Sequence, residues 1–346
     1  MDAMAPPKLA QLGWRPFFQQ QIDLEHWDFP ACRVCAQHRN RLELLSEAGP
    51  MELAVSPGMP AITVGDWLLL NPEGQFFLLL ERQSLFRRKA PGRKIEEQLI
   101  AANIDTLFIV TSLNEDFSLN RIERYLSLAN EAGVEPVIIL SKSDLCADPG
   151  RFQREVQDLS PLLMVETINC LESSEIEKLL PWCAVGKTIA VMGSSGVGKS
   201  TLVNTLLGDA VLATGSIREK DSKGRHVTTG RSLHQMKEGG LLLDTPGLRE
   251  LQLTECDQGV NSTFAEITAL VNQCRFSNCQ HDKEPGCAVQ RAISQGKLNA
   301  RRLSSYQKLL REQQFNSATL AEKRAKDKRF GKMIKSVLSE KKTRRS

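Results

Sequence analysis

The sequence lacks any long apolar run: about 18 consecutive apolar residues, the length that a membrane-spanning helix needs, occur nowhere in it. The first thirty residues also lack a basic start followed by an apolar stretch, the pattern of a signal peptide. Nine cysteines is a modest and odd number. Because thiols stay reduced in a chain without an export signal, we expect metal binding rather than disulfides, a cytoplasmic location and no membrane contact.

Length and composition set the class of protein. With 41% hydrophobic and 25% charged residues the chain is of globular type, which excludes a wholly disordered, collagen-like or disulfide-scaffold protein. Its 346 residues exceed the size of one ordinary core, about 250–300 residues, so we expect two or three domains.

Positive charge is concentrated in a C-terminal tail, residues 321–346. The whole chain carries a net charge of +4, whereas this tail holds eleven Lys and Arg against three acidic residues and so carries +8. Segregated charge of this kind indicates a polyanionic partner such as nucleic acid. The alternative is a basic face that is simply solvated.

Residues 35–92 have the pattern of a small all-β domain. Short apolar stretches are separated by Pro-Gly, Gly-Asp and Glu-Gly turns, and they predict strands at 41–45, 61–64, 67–70 and 76–80. About five strands in this length is the size of an OB-type barrel, which often binds nucleic acid, although a purely structural β-module is the alternative. We assign residues 1–34 to an N-terminal extension with a short helix or arm, and the basic residues 87–94 to a linker.

Residues 93–253 alternate between strand-like and helical segments, which predicts a parallel sheet with helices on both faces. After them, residues 254–320 are helical with one Cys-rich interruption. The predicted strands of the α/β domain are 106–110, 136–140, 162–168, 188–192 and 241–243, and the predicted helices are 119–132, 173–180 and 199–207.

A glycine-rich loop at 193–200 joins a strand to a helix, which is the order that a Walker A phosphate loop requires. Its backbone N–H groups and the helix N-terminus favour phosphate, Lys199 is expected at the β- and γ-phosphates, and the Ser200 hydroxyl at Mg²⁺. The GTP-binding residues predicted here are Gly193, Ser194, Ser195, Gly196, Val197, Gly198, Lys199, Ser200 and Thr201.

An apolar strand at 241–243 ends in Asp244, followed by Thr-Pro-Gly247. An acid at this place suits Mg²⁺, and Gly247 leaves room for a backbone N–H at the γ-phosphate. Between the phosphate loop and Asp244, the polar segment 215–230 is expected to be a switch loop, with Thr228 or Thr229 at Mg²⁺ and the γ-phosphate.

Many GTPases have glutamine after this glycine, but here the residue is Leu248, which cannot orient water. We expect His226 to position the attacking water, the alternative being an ordinary exposed loop histidine.

Guanine recognition is predicted from Ser141, Lys142, Ser143 and Asp144, which resemble the Asn/Thr-Lys-x-Asp element of GTPases. The Asp144 carboxylate would accept the two guanine N–H groups that adenine cannot offer. A second base-contacting loop is expected at Asn169 and Cys170. Both base loops precede the phosphate loop, the reverse of the usual order, which predicts a circularly permuted GTPase domain.

Three thiols and an imidazole occur within fourteen residues: Cys274, Cys279, His281 and Cys287. Four N and S ligands separated by turn residues are typical of a closed, structural Zn²⁺ site. Separate buried cysteines are the alternative.

The motifs Ser-Lys-Ser-Asp, Gly-Ser-Ser-Gly-Val-Gly-Lys-Ser, Arg-His-Val-Thr-Thr and Asp-Thr-Pro-Gly, followed by the cysteine cluster, resemble the RsgA (YjeQ/YloQ) family over roughly residues 35–346. The resemblance implies a GTPase that acts late in maturation of the small ribosomal subunit, is stimulated by that subunit, and contacts ribosomal RNA through its OB and zinc domains. It also supports the four zinc ligands and the role of His226. The first thirty-odd residues lie outside this resemblance.

Together these features predict a monomeric, multidomain GTPase: an all-β OB-type barrel, a circularly permuted α/β P-loop domain, and a helical zinc-binding domain. The expected ligands are GTP or GDP with Mg²⁺ and one structural Zn²⁺, and the expected partner is the small ribosomal subunit with its RNA. Two alternatives stay open, an RNA-binding assembly factor that uses GTP only as a ligand switch, and an ATP-dependent kinase or ATPase.

Overall fold

The computed structural model describes residues 7–89, 97–114, 116–208, 232–244, 248 and 256–317. Of these residues, 7–87, 99–248 and 258–263 form one compact unit, and 88–98, 256–257 and 264–317 form a second. The five-part domain division expected from the sequence places its boundaries elsewhere, and it stays a prediction.

The first unit begins with an antiparallel β domain. In it β1 pairs with β2 and β4, β2 pairs with β3, and β4 pairs with β5. One face of these strands buries Cys32, Val34, Leu42 and Leu44. The strands are β1 (Ala31–Gln37), β2 (Arg41–Ser46), β3 (Gly49–Ala54), β4 (Trp67–Leu70) and β5 (Phe76–Leu79).

The N-terminal segment covers the other face of the β domain. It contains the short helix α1 (Pro16–Gln19) between two 3-10 turns, Leu9–Leu12 and Leu24–His26. Phe18 from α1 packs against Trp67, which explains why all four residues of β4 are buried although a one-sided strand would alternate. The short helix expected at the N-terminus is therefore confirmed, and it belongs to the β domain.

The predicted strand at 61–64 is wrong. Ile62 and Val64 are buried as their alternation indicated, but the backbone there pairs in no ladder. Gly65 follows with a φ of 91°, and a Cβ at that position would lie 2.0 Å from the carbonyl oxygen of Ala102. The chain turns at Gly65, where the missing side chain lets the backbone at Ala102 approach. A continuous strand through this position would not allow that approach.

A buried arginine ties the β domain to the segment that leads into the α/β domain. Arg33 on β1 donates to the carbonyl oxygens of Leu12 and Asn103, the latter at 3.0 Å. Burial lowers the pKa of its guanidinium to about 10. At the surface, Arg15 pairs with Asp105 at 2.5 Å.

Two further strands, β6 (Leu85–Lys89) and β7 (Glu97–Ala102), form a two-stranded sheet. The predicted linker at 87–94 thus includes the last residues of a strand.

The α/β domain has the predicted sheet. Its order is β10-β9-β8-β11-β13-β12, parallel except for β12, which pairs antiparallel with β13. The strands are β8 (Thr106–Ser112), β9 (Glu135–Ser141), β10 (Met164–Thr167), β11 (Thr188–Met192), β12 (Ser232–Gln235) and β13 (Leu241–Asp244). β12 also pairs with β1 through Ala36 and Ser232, so the sheets of the two domains are continuous.

Helices cover this sheet, and the core between them contains Phe108, Ile139 and Ile189 from strands with Leu202 and Leu206 from α5. The predicted helix 173–180 divides into α4 and a 3-10 turn, Glu177–Trp182, which contains Pro181. The helices are α2 (Leu119–Ala132), α3 (Pro149–Gln157), α4 (Ser173–Ile176), α5 (Lys199–Leu207) and α6 (Asp257–Thr263).

The second unit contains α7 (Ala265–Val271), α8 (Ala288–Ser294) and α9 (Ala300–Ser317). Arg302 on α9 lies over the Phe264 ring, 4.5 Å from its centroid, and pairs with Glu266 at 2.6 Å. Tyr306 contacts the same ring at 5.5 Å between centroids. Across both units, no helix in the described part of the chain is long and apolar enough to cross a membrane.

Candidate functional site

The carboxyl ends of β8, β9, β11 and β13 lie at one edge of the parallel sheet, which brings Ser141 and Asp244 to the edge where the phosphate loop starts. The strands that follow β8, namely β9 and β10, lie on one side of it, whereas the strands that follow β11 lie on the opposite side. The strand order therefore reverses between β8 and β11. In open α/β sheets, ligands bind outside the carboxyl ends of the strands at such a reversal point. The crevice between the loops after β8 and β11 is therefore the candidate site.

The phosphate loop has a conformation that requires glycine. Gly193, Gly196 and Gly198 have φ values of 154°, 79° and 95°. A Cβ at Gly193 would lie 2.2 Å from the carbonyl oxygen of Val110, so no side chain fits there. The α5 helix begins directly afterwards at Lys199, whose ammonium group donates to the carbonyl oxygen of Ser194 and is 6% exposed. The lysine is thus folded over the loop that precedes it.

Ser141 joins the first predicted base loop to the phosphate loop. Its hydroxyl donates to the carbonyl oxygen of Val197 at 2.6 Å, with the carbonyl oxygen of Thr111 at 3.3 Å, and the residue is fully buried. The next residue, Lys142, has a φ of 58°, and a 3-10 turn over Ser143–Leu145 carries Asp144. A serine here makes the contact that holds the two loops together.

The second predicted base loop, Asn169 and Cys170, lies beside the first base loop and the phosphate loop. The N–H of Ser143 donates to the carbonyl oxygen of Ile168 at 3.4 Å, and a Cβ at Gly198 would lie 3.8 Å from the sulfur of Cys170. Burial raises the pKa of the Cys170 thiol to about 11, and the negative charge of Asp144 contributes to the shift. Residues 141–144, 169–170 and 193–201 are therefore brought to one place.

Asp116 and Arg121 belong to this site and were not predicted. Arg121 Nη1 lies 2.7 Å from Asp116 Oδ2 and 3.1 Å from Ser194 Oγ, and Ser194 Oγ donates to Asp116 at 2.5 Å. The hydrogen bond from Arg121, then that from Ser194, lowers the pKa of the Asp116 carboxyl. An Asn-x-Asp sequence after a buried strand, with arginine in the next helical turn, was the available signal.

Of the remaining predicted residues, some lie on described elements and the others lie outside the described residues. Ser200 and Thr201 lie in the first turn of α5, and Asp244 ends β13 with a partly buried side chain. Leu248 is 1% exposed. His226, Thr228, Thr229 and Gly247 lie outside the described residues, as does the basic tail 321–346.

The predicted metal ligands form a cluster in the second unit, and its four ligand atoms lie within 4.8 Å of one another. Cys274 Sγ is 3.9 Å from Cys287 Sγ, and His281 Nδ1 is 3.6 Å and 3.5 Å from these two sulfurs. Tetrahedral bonds of about 2.3 Å to sulfur and about 2.0–2.1 Å to nitrogen would separate two sulfurs by about 3.8 Å and sulfur from nitrogen by about 3.6 Å. The cluster can hold one metal ion.

The loop that carries the cluster also makes hydrogen bonds of its own. The Glu284 carboxylate accepts hydrogen bonds from the N–H groups of Gln280 and Asp282 at 2.8 Å and 2.9 Å. Gln290 Nε2 donates to the carbonyl oxygen of His281 at 2.6 Å. These contacts help to orient the backbone between Cys279 and Cys287.

Comparison with known proteins places this geometry in a family. The family model described as "RsgA GTPase" matches residues 79–254. The "Small ribosomal subunit biogenesis GTPase RsgA 2" of Vibrio parahaemolyticus is 57% identical over 337 residues, 97% of this chain and 94% of its own length. The chain belongs to the RsgA GTPase family. It is therefore a GTPase, and the family resemblance inferred from its motifs is confirmed.

Other RsgA proteins extend the match. The "Small ribosomal subunit biogenesis GTPase RsgA" of Mesorhizobium japonicum is 45% identical over 90% of this chain and 91% of its own. The Vibrio vulnificus "RsgA 2" is 56% identical and covers 99% of this chain, so that match includes most of residues 1–34, which the motif-based resemblance had left out.

Two solved structures share the fold. YjeQ from Thermotoga maritima has a TM-score of 0.61 at 25% identity, covering 82% of this chain and 98% of its own. YloQ, described as "a circularly permuted GTPase", has a TM-score of 0.60 at 20% identity, covering 86% and 99%. The circularly permuted α/β fold is thereby confirmed.

Proposed function

We propose that this chain binds GTP between the loops at 141–144, 169–170 and 193–201 and hydrolyses it during small ribosomal subunit biogenesis. One observation carries the nucleotide site, the hydrogen bond of 2.6 Å from Ser141 to the phosphate loop. It joins a loop with the chemistry for guanine to a loop with the chemistry for phosphate, although the two are more than fifty residues apart.

Phosphate binding follows from the loop and the helix that it precedes. N–H groups of 193–198 and the N-terminus of α5 favour anionic oxygens, and Lys199 would leave the Ser194 carbonyl for the β- and γ-phosphates. Release of this lysine is not costly, because a phosphate oxygen is a stronger acceptor than a carbonyl.

Guanine specificity would come from Asp144, whose carboxylate accepts the ring N–H and amino group of guanine. Lys142, held in the left-handed region, would lie along the base, while Asn169 and Cys170 form the opposite wall. Asn169 is already oriented, since its side chain accepts from the N–H of Leu171 at 3.1 Å.

Magnesium fits the oxygen ligands at the sheet edge. Ser200 in the first turn of α5 would hold Mg²⁺ with Thr228, and Asp244 at the end of β13 would lie in the second coordination sphere, because hydroxyl and carboxylate oxygens are the groups that this ion prefers. Mg²⁺ would neutralise charge on the phosphates during hydrolysis.

Hydrolysis in this site is positioning and charge stabilisation at the γ-phosphate by Lys199 and the loop N–H groups. The buried Leu248 cannot orient water, so the intrinsic rate should be low, with His226 or Thr229 completing the site. We infer that the small subunit stimulates the reaction through residues 215–230.

Outside the nucleotide site we propose one Zn²⁺ at Cys274, Cys279, His281 and Cys287. Three sulfurs and one imidazole suit Zn²⁺. Because the protein supplies all four ligands, the contribution of the ion would be structural. The β domain, as an OB-type barrel, and the zinc-binding helices would contact ribosomal RNA together with the basic tail. The protein would act as a cytoplasmic monomer.

The decisive experiment measures hydrolysis of GTP and of ATP, each with and without purified small ribosomal subunits. We expect GTP, and not ATP, to be hydrolysed, slowly without subunits and faster with them. Asp144→Asn should relax the preference for guanine. Equal rates with and without subunits would contradict the coupling. If Lys199→Ala still bound the subunit and lost no turnover relative to the unmodified chain, the result would instead favour an assembly factor that uses GTP only as a ligand.

A further inference from the structure

An aromatic cluster on the β domain contains none of the residues assigned to the nucleotide site or the metal site. His26 and Phe29 from the N-terminal segment contact Phe77 of β5, with ring centroids 4.5 Å and 4.9 Å from it. Phe77 is 41% exposed, and the neighbouring Trp27 is 57% exposed. We call these four residues the aromatic patch.

The patch is held in a fixed shape. The Gln21 amide accepts from the N–H of Glu81 at 2.5 Å and donates to the carbonyl oxygen of Phe17 at 3.1 Å, which fastens the N-terminal segment beside the end of β5. In the same N-terminal segment, Phe18 is buried against Trp67 at 5.8 Å between centroids. Because these contacts hold the segment against the β domain, the patch presents preformed apolar surface that a partner need not order.

Leu24 and Leu78, in the same two segments, are 80% and 38% exposed. Large apolar side chains gathered on a surface mark interaction sites, whereas isolated ones need no explanation. Here, two segments distant in sequence contribute to a single cluster.

The charge around the patch identifies the kind of partner. The two segments that build it, residues 19–31 and 70–81, contain no Lys or Arg. They carry five exposed carboxylates, in a chain whose net charge is +4: Asp23, Glu25, Asp28, Glu73 and Glu81. Acidic segments of this kind repel the phosphates of a nucleic acid and attract cations.

We propose that the aromatic patch docks a basic segment of a protein partner, one that alternates Arg or Lys with apolar residues. Guanidinium groups would stack on Trp27 and Phe77 by cation–π attraction and pair with the carboxylates of the two segments, while apolar side chains cover Leu24 and Leu78. The patch is thus a protein-binding surface on a domain that the sequence assigned to RNA.

The test uses the full chain and three fluorescent probes of equal length: a peptide of alternating Arg and Leu, the same peptide with Glu for Arg, and a single-stranded RNA. Anisotropy is measured for wild type, for Trp27→Ser with Phe77→Ser, and for a triple reversal, Asp23→Lys, Glu25→Lys and Asp28→Lys. Phe315→Ser, which removes a side chain 58% exposed on α9, is the matched control.

We expect the Arg-Leu peptide to bind wild type and Phe315→Ser equally, and at least tenfold more weakly to both patch variants. The Glu peptide should not bind, and RNA affinity should be unchanged in the serine variant. GTP binding, measured on every variant, should match wild type. The melting temperature, measured alongside, shows that each variant is folded, because Phe77→Ser also removes ring contacts with His26 and Phe29. Equal peptide affinity in wild type and both patch variants would overturn the proposal, and so would a loss of RNA binding in the serine variant with the peptide unaffected.

Discussion

Replacement of Ser141 by alanine should weaken GTP binding without destroying the fold. The Ser141 hydroxyl donates to the carbonyl oxygen of Val197 at 2.6 Å inside a fully buried site. Alanine leaves that oxygen without its donor, and a buried polar group left unpaired costs about 1–3 kcal/mol. Since the phosphate loop is held in its binding conformation by this contact, we expect about 1–2 kcal/mol of the cost to appear in the nucleotide affinity. That is a rise in Kd for GTP of about 5- to 30-fold.

A titration with a fluorescent GTP analogue measures this change, with thermal melting of the same samples to separate affinity from stability. Ser141→Thr keeps the hydroxyl and should bind GTP more tightly than Ser141→Ala. Ser294→Ala is the control, because its exposed hydroxyl donates within α8. If Ser141→Ala bound GTP within twofold of wild type, the contact would not be holding the loop and the reasoning would fail.

The other predictions concern stability, the metal and a thiol. Asp66 is fully buried and accepts two hydrogen bonds from Arg82 at 2.7 Å and 2.8 Å, so Asp66→Ala should lower the free energy of unfolding by about 3–5 kcal/mol in a urea titration, and a loss below 1 kcal/mol would contradict the value of this pair. Elemental analysis should find one zinc per chain and less than half of that in Cys279→Ser, with a loss of helical circular dichroism on chelation. A folded, metal-free protein would refute the site. The Cys170 thiol, with its pKa raised to about 11, should be about 0.1% thiolate at pH 8 and should alkylate far more slowly than Cys146 in peptide mass spectrometry. Its reactivity should rise with pH up to about 11, because the raised pKa keeps the thiol protonated below that value. Comparable rates for the two cysteines at pH 8 would mean that Cys170 is accessible.

The sequence was most informative where burial is two-sided. β8, β9 and β11 are continuous apolar runs because helices cover both faces of the sheet, and such runs are recognisable without a structure. β12 was missed because it is short, polar and at the edge of the parallel sheet. The helix α3 was missed although Phe152 and Val156 lie one turn apart on it, because the segment is short and mostly polar.

The candidate site was predicted to the extent that its motifs are local. Residues 193–201 read as a phosphate loop because all of their chemistry lies in one short segment. Asp116 and Arg121 were not found, since Asp116 meets Ser194 across 78 positions of sequence. The local Asn-x-Asp pattern marks Asp116 as a candidate, but its contact with Ser194 arises only when the sheet places the loops after β8 and β11 side by side.

The strand pairing between Ala36 and Ser232 has a mechanical consequence. Hydrogen bonds in a shared sheet resist bending, and Arg33 clamps the same junction from within by binding both Leu12 and Asn103. The β domain and the nucleotide-binding domain are therefore joined by main-chain and side-chain hydrogen bonds, which resist a change in their relative orientation. A partner that binds one of the two domains also orients the other. Recognition at the β domain therefore determines which way the catalytic edge of the molecule faces.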